Sequence, residues 1–170
     1  MDTPRGIPKA DFIEDMAAAA PNMAAAEKLF QDKQEILAKY RVLEQHLLEK
    51  LQQLKASKPD IVENLKAVQK LASAPFQNEP VTRFQISDSV YGSAKIKNDQ
   101  TVALWLGANL MVEYSYEEAE ALLKKNLENL ESQINGIEED LCFLRDQIIT
   151  SEVTVSRLTN HIIQMRRSGK

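Results

Sequence analysis

The sequence predicts a mainly α chain: a long antiparallel intrachain coiled coil, or helical hairpin, with a small four-strand β insert between its arms. Three observations carry this. Apolar residues recur at alternating spacings of four and three over residues 29–72 and again over 123–165. Between them, over 81–114, the period falls to two. The chain also holds only 5 Gly and 6% aromatics, beside 44% apolar residues in all. That balance fits long helices better than a rounded α/β enzyme.

Residues 1–22 carry Pro4, Gly6, Pro8, Pro21 and the run Ala17–Ala20, and read as a flexible tail with a short sticky piece at Phe12 and Ile13. The rest, 23–170, reads as a single domain. Residues 23–74 read as one helix with the seam Leu29, Lys33, Ile36, Tyr40, Leu43, Leu47, Leu51, Leu54, Lys58, Ile61, Leu65, Val68 and Ala72. Leu43, Leu47 and Leu51 give two fours in succession, a stutter that locally unwinds a supercoil. Pro59 costs about 3 kcal/mol in a helix interior. Because the seam keeps its phase across it, a kinked but continuous helix is expected; a break with Pro59 opening a second helix is the alternative. Pro75 ends the run.

Residues 81–114 read as two β-hairpins. Thr82, Phe84 and Ile86 alternate with polar residues, as do Val90, Gly92, Ala94 and Ile96. Val102, Leu104 and Leu106 form a third strand, and Leu110, Val112 and Tyr114 a fourth. Asp88-Ser89, Asn98-Asp99 and Gly107-Ala108-Asn109 supply turns. Ser115 and Glu118 then form a capping box that opens the second helix, 115–167. Its seam is Leu123, Leu127, Leu130, Ile134, Ile137, Leu141, Leu144, Ile148, Ser151, Val155, Leu158, Ile162 and Met165, apolar throughout except for Ser151.

A narrow seam demands a partner helix, and each arm finds one in the other. At about 1.5 Å per residue each arm spans roughly 75 Å. Antiparallel pairing puts the strands at one end and both termini at the other. Four short strands cannot close a core, and their edges are templates for pairing. Phe84, Leu104, Trp105 and Leu106 add apolar surface, so the insert is expected to assemble with other chains into an intersubunit β-barrel.

A net charge of −4 offers no concentrated basic face for nucleic acid. Tyr91 and Trp105 with Lys95 and Lys97 are explained more simply by sheet assembly. Cys142, the single cysteine, forms no intrachain disulfide, and a reducing compartment follows. No apolar run approaches the roughly 18 residues of a membrane span. Asp2, Asp11, Glu14 and Asp15 argue against a presequence, so the cytosol is expected.

No phosphate-binding glycine loop occurs. No paired acid and base, nucleophile with a partner, or enclosed pocket is expected, so no catalytic residue and no cofactor is assigned. His46 and His161 read as surface histidines, too few for a metal site. Cys142 reads as inert and partly buried, Glu138, Glu139 and Asp140 as a solvated face, and Gly136 as a tolerated helix glycine.

Two long helices around two hairpins resemble the layout of α-class prefoldin subunits. The segment Val102-Ala103-Leu104-Trp105-Leu106-Gly107-Ala108-Asn109-Leu110-Met111-Val112-Glu113-Tyr114, followed by Glu117-Glu118-Ala119, is similar to the α-class strand–Gly–strand signature. Gly6-Ile7-Pro8-Lys9-Ala10 with Phe12, Glu14 and Asp15 resembles the eukaryotic subunit 3 branch of that family, as does Leu141-Cys142-Phe143-Leu144-Arg145-Asp146-Gln147. The resemblance implies an ATP-independent hexamer with one further α-class and four β-class subunits. It implies a double β-barrel base, capture of unfolded actin and tubulin near the coil tips, and delivery to the group II chaperonin. The strand residues Phe84, Ile86, Val102, Leu104, Trp105, Leu106, Leu110 and Val112 are then the expected assembly surface.

In the hairpin, Leu29, Phe30, Ile36 and Leu37 lie across from Val155, Leu158, Ile162, Ile163 and Met165 at the coil tip. These are the candidate client-binding residues, since holding an unfolded chain needs adaptable apolar surface. The alternative is that they only close the coil end. Arg157, His161, Arg166, Arg167 and Lys170 make that end basic, which suits a helix C-terminus or contact with acidic clients. A structural tether, or an α subunit of a related prefoldin-like assembly, is the competing reading of the whole chain.

Overall fold

The four–three alternation folds as it predicts. The computed structural model describes residues 6–73, 81–95 and 100–167, and both seams lie on long helices. In chain order the elements are α1 (Met16–Ala19), α2 (Met23–Ser73), β1 (Val81–Ser87), β2 (Val90–Lys95), β3 (Thr101–Gly107), β4 (Leu110–Ser115) and α3 (Tyr116–Arg167). Helix α2 runs unbroken through Pro59, as the constant seam phase on either side of it requires. Pro75, Ile96, Lys97 and the Asn98-Asp99 turn lie outside the described residues. The chain divides into two units, Met1–Leu54 with Gln133–Lys170, and Lys55–Ser132.

In the first unit, rising residue numbers on α2 meet falling numbers on α3. Glu27 pairs with Arg166 at 3.2 Å, Arg41 with Glu152 at 2.7 Å and Glu44 with Arg145 at 3.3 Å. These exposed pairs fix direction more than they stabilise. Burial between the helices holds the unit together. On α3 the seam residues Ile134, Ile137, Leu141, Leu144, Ile148 and Leu158 are all buried.

Residues 6–22, the described part of the expected tail 1–22, are laid along this helix pair. Ile7 is buried in a cluster with Tyr40, Leu144 and Ile148. Further on, Met16 and Ala20 are buried, and Ala20 packs with Ala26 and Ile162. The side chain of Asp15 caps α1 by accepting from the amides of Ala17 and Ala18. The physical reason is that a two-helix seam leaves flanking apolar surface, and an aliphatic N-terminal residue can bury itself there.

The added segment also widens the buried stripe and shifts the seam locally. Leu37, expected off the seam, packs against the Tyr40–Leu144 cluster. Ile36, expected on it, is 37% exposed and borders the N-terminal segment. Three further expectations change. Cys142 is exposed rather than partly buried, because it lies just past the seam position Leu141. Asp140 is 4% exposed, unlike the solvated Glu138 and Glu139. Ala72, expected as the last seam position of the first helix, is exposed.

In the second unit, Lys58 pairs with Glu131 at 2.8 Å and Gln69 donates to Glu120 at 2.9 Å, so the helices are antiparallel here too. Val68, Ala119 and Leu123 form the core, joined by Ile61, Leu65 and the strand residues Val102, Leu104 and Tyr114. Two separate two-stranded sheets pair β1 with β2 and β3 with β4, both antiparallel. The capping box forms as expected. The Glu118 amide donates to Ser115 Oγ at 3.3 Å, and the Ser115 amide donates to Glu118 Oε2 at 3.1 Å.

Candidate functional site

Two surfaces carry the candidate residues, one in each unit. The first is the groove under the N-terminal segment. An extended chain exposes amides and carbonyls that need partners, and side chains of α2 and α3 supply them here. The Tyr40 hydroxyl donates to the Pro8 carbonyl at 2.9 Å. Gln147 Oε1 accepts the Ala10 amide at 2.9 Å, while its Nε2 donates to the Phe143 carbonyl at 3.2 Å, which fixes the side chain. Arg157 donates to the carbonyls of Ile13 and Glu14 at 2.6 and 2.7 Å, and its guanidinium lies 5.1 Å from the centre of the Phe12 ring. His161 Nε2 lies 3.2 Å from the Ala20 carbonyl oxygen.

Ser151 and Thr154, both buried polar residues on α3, turn their hydroxyls back onto the carbonyls of Gln147 and Thr150. That leaves the helix surface small, so an extended backbone can approach it closely. The Lys33 side chain is 14% exposed and reaches Asp11 at 3.5 Å. Burial raises the Tyr40 hydroxyl above its ordinary pKa, and the negative charge of Asp11 adds to the effect. Tyr40 is therefore a neutral donor at ordinary pH.

Of the residues expected to bind clients at the coil tip, Leu158 is fully buried and Ile162 nearly so. Leu29, Phe30 and Met165 pack half-buried around Ala20, Ala26 and Ile162. Val155 is half-buried, and only Ile36 and Ile163 are open to solvent. Reasoning from the seam missed Ile7 and Gln147 as contact residues; the signal available for Ile7 was the Gly6–Asp15 segment itself, in which Phe12 stood out as a sticky residue. His46 is exposed, and the described residues contain no cluster of metal-ligating side chains.

The second surface is on the hairpins. Val102 and Leu104 face the helix core, and Val112 is half-buried. Their neighbours point away: Trp105 and Met111 stand opposite each other across β3 and β4, each 59% exposed. A register shift lies between Trp105 and Gly107, and another between Gln85 and Ser87. Each leaves one residue, Leu106 or Ile86, out of the pairing and breaks the expected alternation. Leu106 and Leu110 thus join Trp105 as exposed apolar residues. On the other hairpin Phe84 pairs with Gly92 and leans over it, while every residue of β1 is exposed. The alternation did not single out Val81 and Met111, which are exposed too, and Val90 and Tyr91 are exposed beside them.

A family model described as "Prefoldin subunit" matches residues 40–161. Prefoldin subunit 3 of Mus musculus is 39% identical over 166 residues, spanning 95% of this chain and 84% of its own length. The human protein of that name is 39% identical over 166 residues, with 95% and 83% covered. The probable prefoldin subunit 3 of Schizosaccharomyces pombe is 36% identical over 167 residues, with 98% and 96% covered. Paired long helices, two hairpins between them, and a match over nearly the whole chain lead to one assignment: this chain belongs to the prefoldin family.

Proposed function

We propose that the chain is an α-class chaperone subunit that assembles through its hairpins with one further α-class and four β-class subunits, and that the assembly holds unfolded chains without ATP. The observation that carries this is the exposed Trp105–Met111 pair on a two-stranded sheet. A lone hairpin with large apolar residues on its outer face is marginal in water, and strands from sister chains would cover that face and the edges together. Its clients are of the actin and tubulin class, held near the coil tip around Ile36 and Ile163 and released to the group II chaperonin. Each coil holds a client weakly, and several coils on one base raise the effective concentration. The cytosol is the compartment this role requires. No catalytic step is assigned.

The test is aggregation of chemically unfolded actin, followed by light scattering with the assembled complex and no nucleotide. Suppression that depends on the complex supports the reading. Equal aggregation with and without it refutes capture and favours a structural tether.

A further inference from the structure

The segment before α1 is held by its main chain. Between Pro8 and Glu14 its main chain is gripped at four points, the Pro8 carbonyl, the Ala10 amide and the carbonyls of Ile13 and Glu14, each by a side chain of α2 or α3. Gln147 and Arg157 are separated by about 15 Å along α3 at 1.5 Å per residue. Residues 10–14 reach from one of these side chains to the other as irregular chain with a bend at Glu14. Contacts to backbone carbonyls and amides do not depend on which side chains the bound segment carries.

Selectivity comes from three further features. An apolar site formed by Tyr40, Leu144 and Ile148 takes Ile7. The Arg157 guanidinium takes an aromatic ring five residues later. Lys33 takes the carboxylate of Asp11. This is how an open sheet edge or peptide groove reads an extended ligand, with main-chain bonds for affinity and pockets for choice.

We infer that this groove, built by Tyr40, Leu144, Gln147, Arg157 and Lys33, is a binding site for extended apolar-and-acidic stretches of unfolded polypeptide, and that the resting chain fills it with its own residues 7–14. The inference rests on the holding function proposed above and gives it a specific site. The segment is an internal competitor. A groove open about one tenth of the time binds a client about tenfold more weakly than a free one. When a client with a suitable stretch arrives, it displaces the segment.

The experiment uses the full chain assembled with its partner subunits and, as probe, fluorescently labelled reduced and carboxymethylated lactalbumin, a permanently unfolded chain. In the wild-type complex, saturating probe is expected to speed hydrogen exchange at the Ala10 amide, since displacement frees it. Unchanged or slower exchange there, with the probe bound, overturns the inference. A strap-weakening variant, Ile7→Asp with Phe12→Ala, is expected to bind the probe about tenfold more tightly. A synthetic peptide of residues 6–20 should then compete with the probe. Adding Gln147→Ala and Arg157→Ala to that variant should abolish the gain. Unaltered affinity in the strap-weakened variant, with wild type binding normally, makes the segment a fixed clamp and leaves the holding function standing. Absence of probe binding by every form, wild type included, refutes the holding function itself.

Discussion

Tyr40, buried on α2, donates its hydroxyl to the carbonyl of Pro8 at 2.9 Å and so ties the start of the chain to the helix pair. Removing the hydroxyl with Tyr40→Phe keeps the ring and leaves the Pro8 carbonyl short of a partner. A loss of about 1 kcal/mol is expected. Faster hydrogen exchange over residues 7–14 with little change elsewhere would report it.

Alkaline titration probes the same contact. The folded chain holds the Tyr40 proton more tightly than the unfolded chain, because burial and then Asp11 raise its pKa above 10.0. Its contribution to stability is therefore complete below about pH 10 and is lost as pH rises from there through the raised value. Denaturant melts at pH 8, 10 and 11 should show a decline above 10 that is smaller in Tyr40→Phe.

Leu144 is fully buried between Tyr40, Ile148 and the N-terminal segment. Leu144→Ala opens a cavity where two helices and a strap meet, and should cost about 2–5 kcal/mol. Exposed Val42→Ala, on the open side of α2, should move stability by less than about 0.5 kcal/mol. Chemical denaturation of both variants side by side checks the contrast.

Ser115→Ala removes the hydroxyl that accepts the Glu118 amide and is expected to cost about 1 kcal/mol. Hydrogen bonds from Ser115 also hold the Glu118 carboxyl below its usual pKa. That part of the cap is present above the ordinary carboxylate range and fades as pH falls through the lowered value. The difference between wild type and Ser115→Ala should therefore shrink on acidification, measured by thermal melts from pH 7 to pH 3.

Pro59 has no amide hydrogen to give, yet α2 continues through it. Pro59→Ala should raise stability by up to about 3 kcal/mol, read as a higher melting midpoint.

Much of this fold was legible because its periods are strong. The α3 seam from Leu123 to Ile162 and the Ser115–Glu118 cap are local patterns, and each has a single physical reading. The hairpins were legible too, down to the turns at Ser89 and Asn109, which take positive φ. The strap was not. Pro8, Gly6 and Pro21 mark irregular chain, and irregular chain usually stays solvated. Its docking depends on Gln147 and Arg157, polar residues off the seam whose contacts a seam cannot show. The places of Ile36 and Leu37 were misjudged for the same reason, since a third element broadens the stripe. Likewise, Leu106 leaves the inner face because a bulge, invisible to a period of two, intervenes before the turn.

The most direct test of the assembly claim is native mass spectrometry of this chain mixed with an α-class partner and β-class partners, with Trp105→Asp alongside. A six-subunit complex is expected for wild type, with Trp105 emission shifted to shorter wavelength as its 59% exposure is lost, and failure to assemble for Trp105→Asp. A wild-type chain that stays alone or forms only a dimer with itself, or a Trp105→Asp chain that assembles as well as wild type, would contradict it.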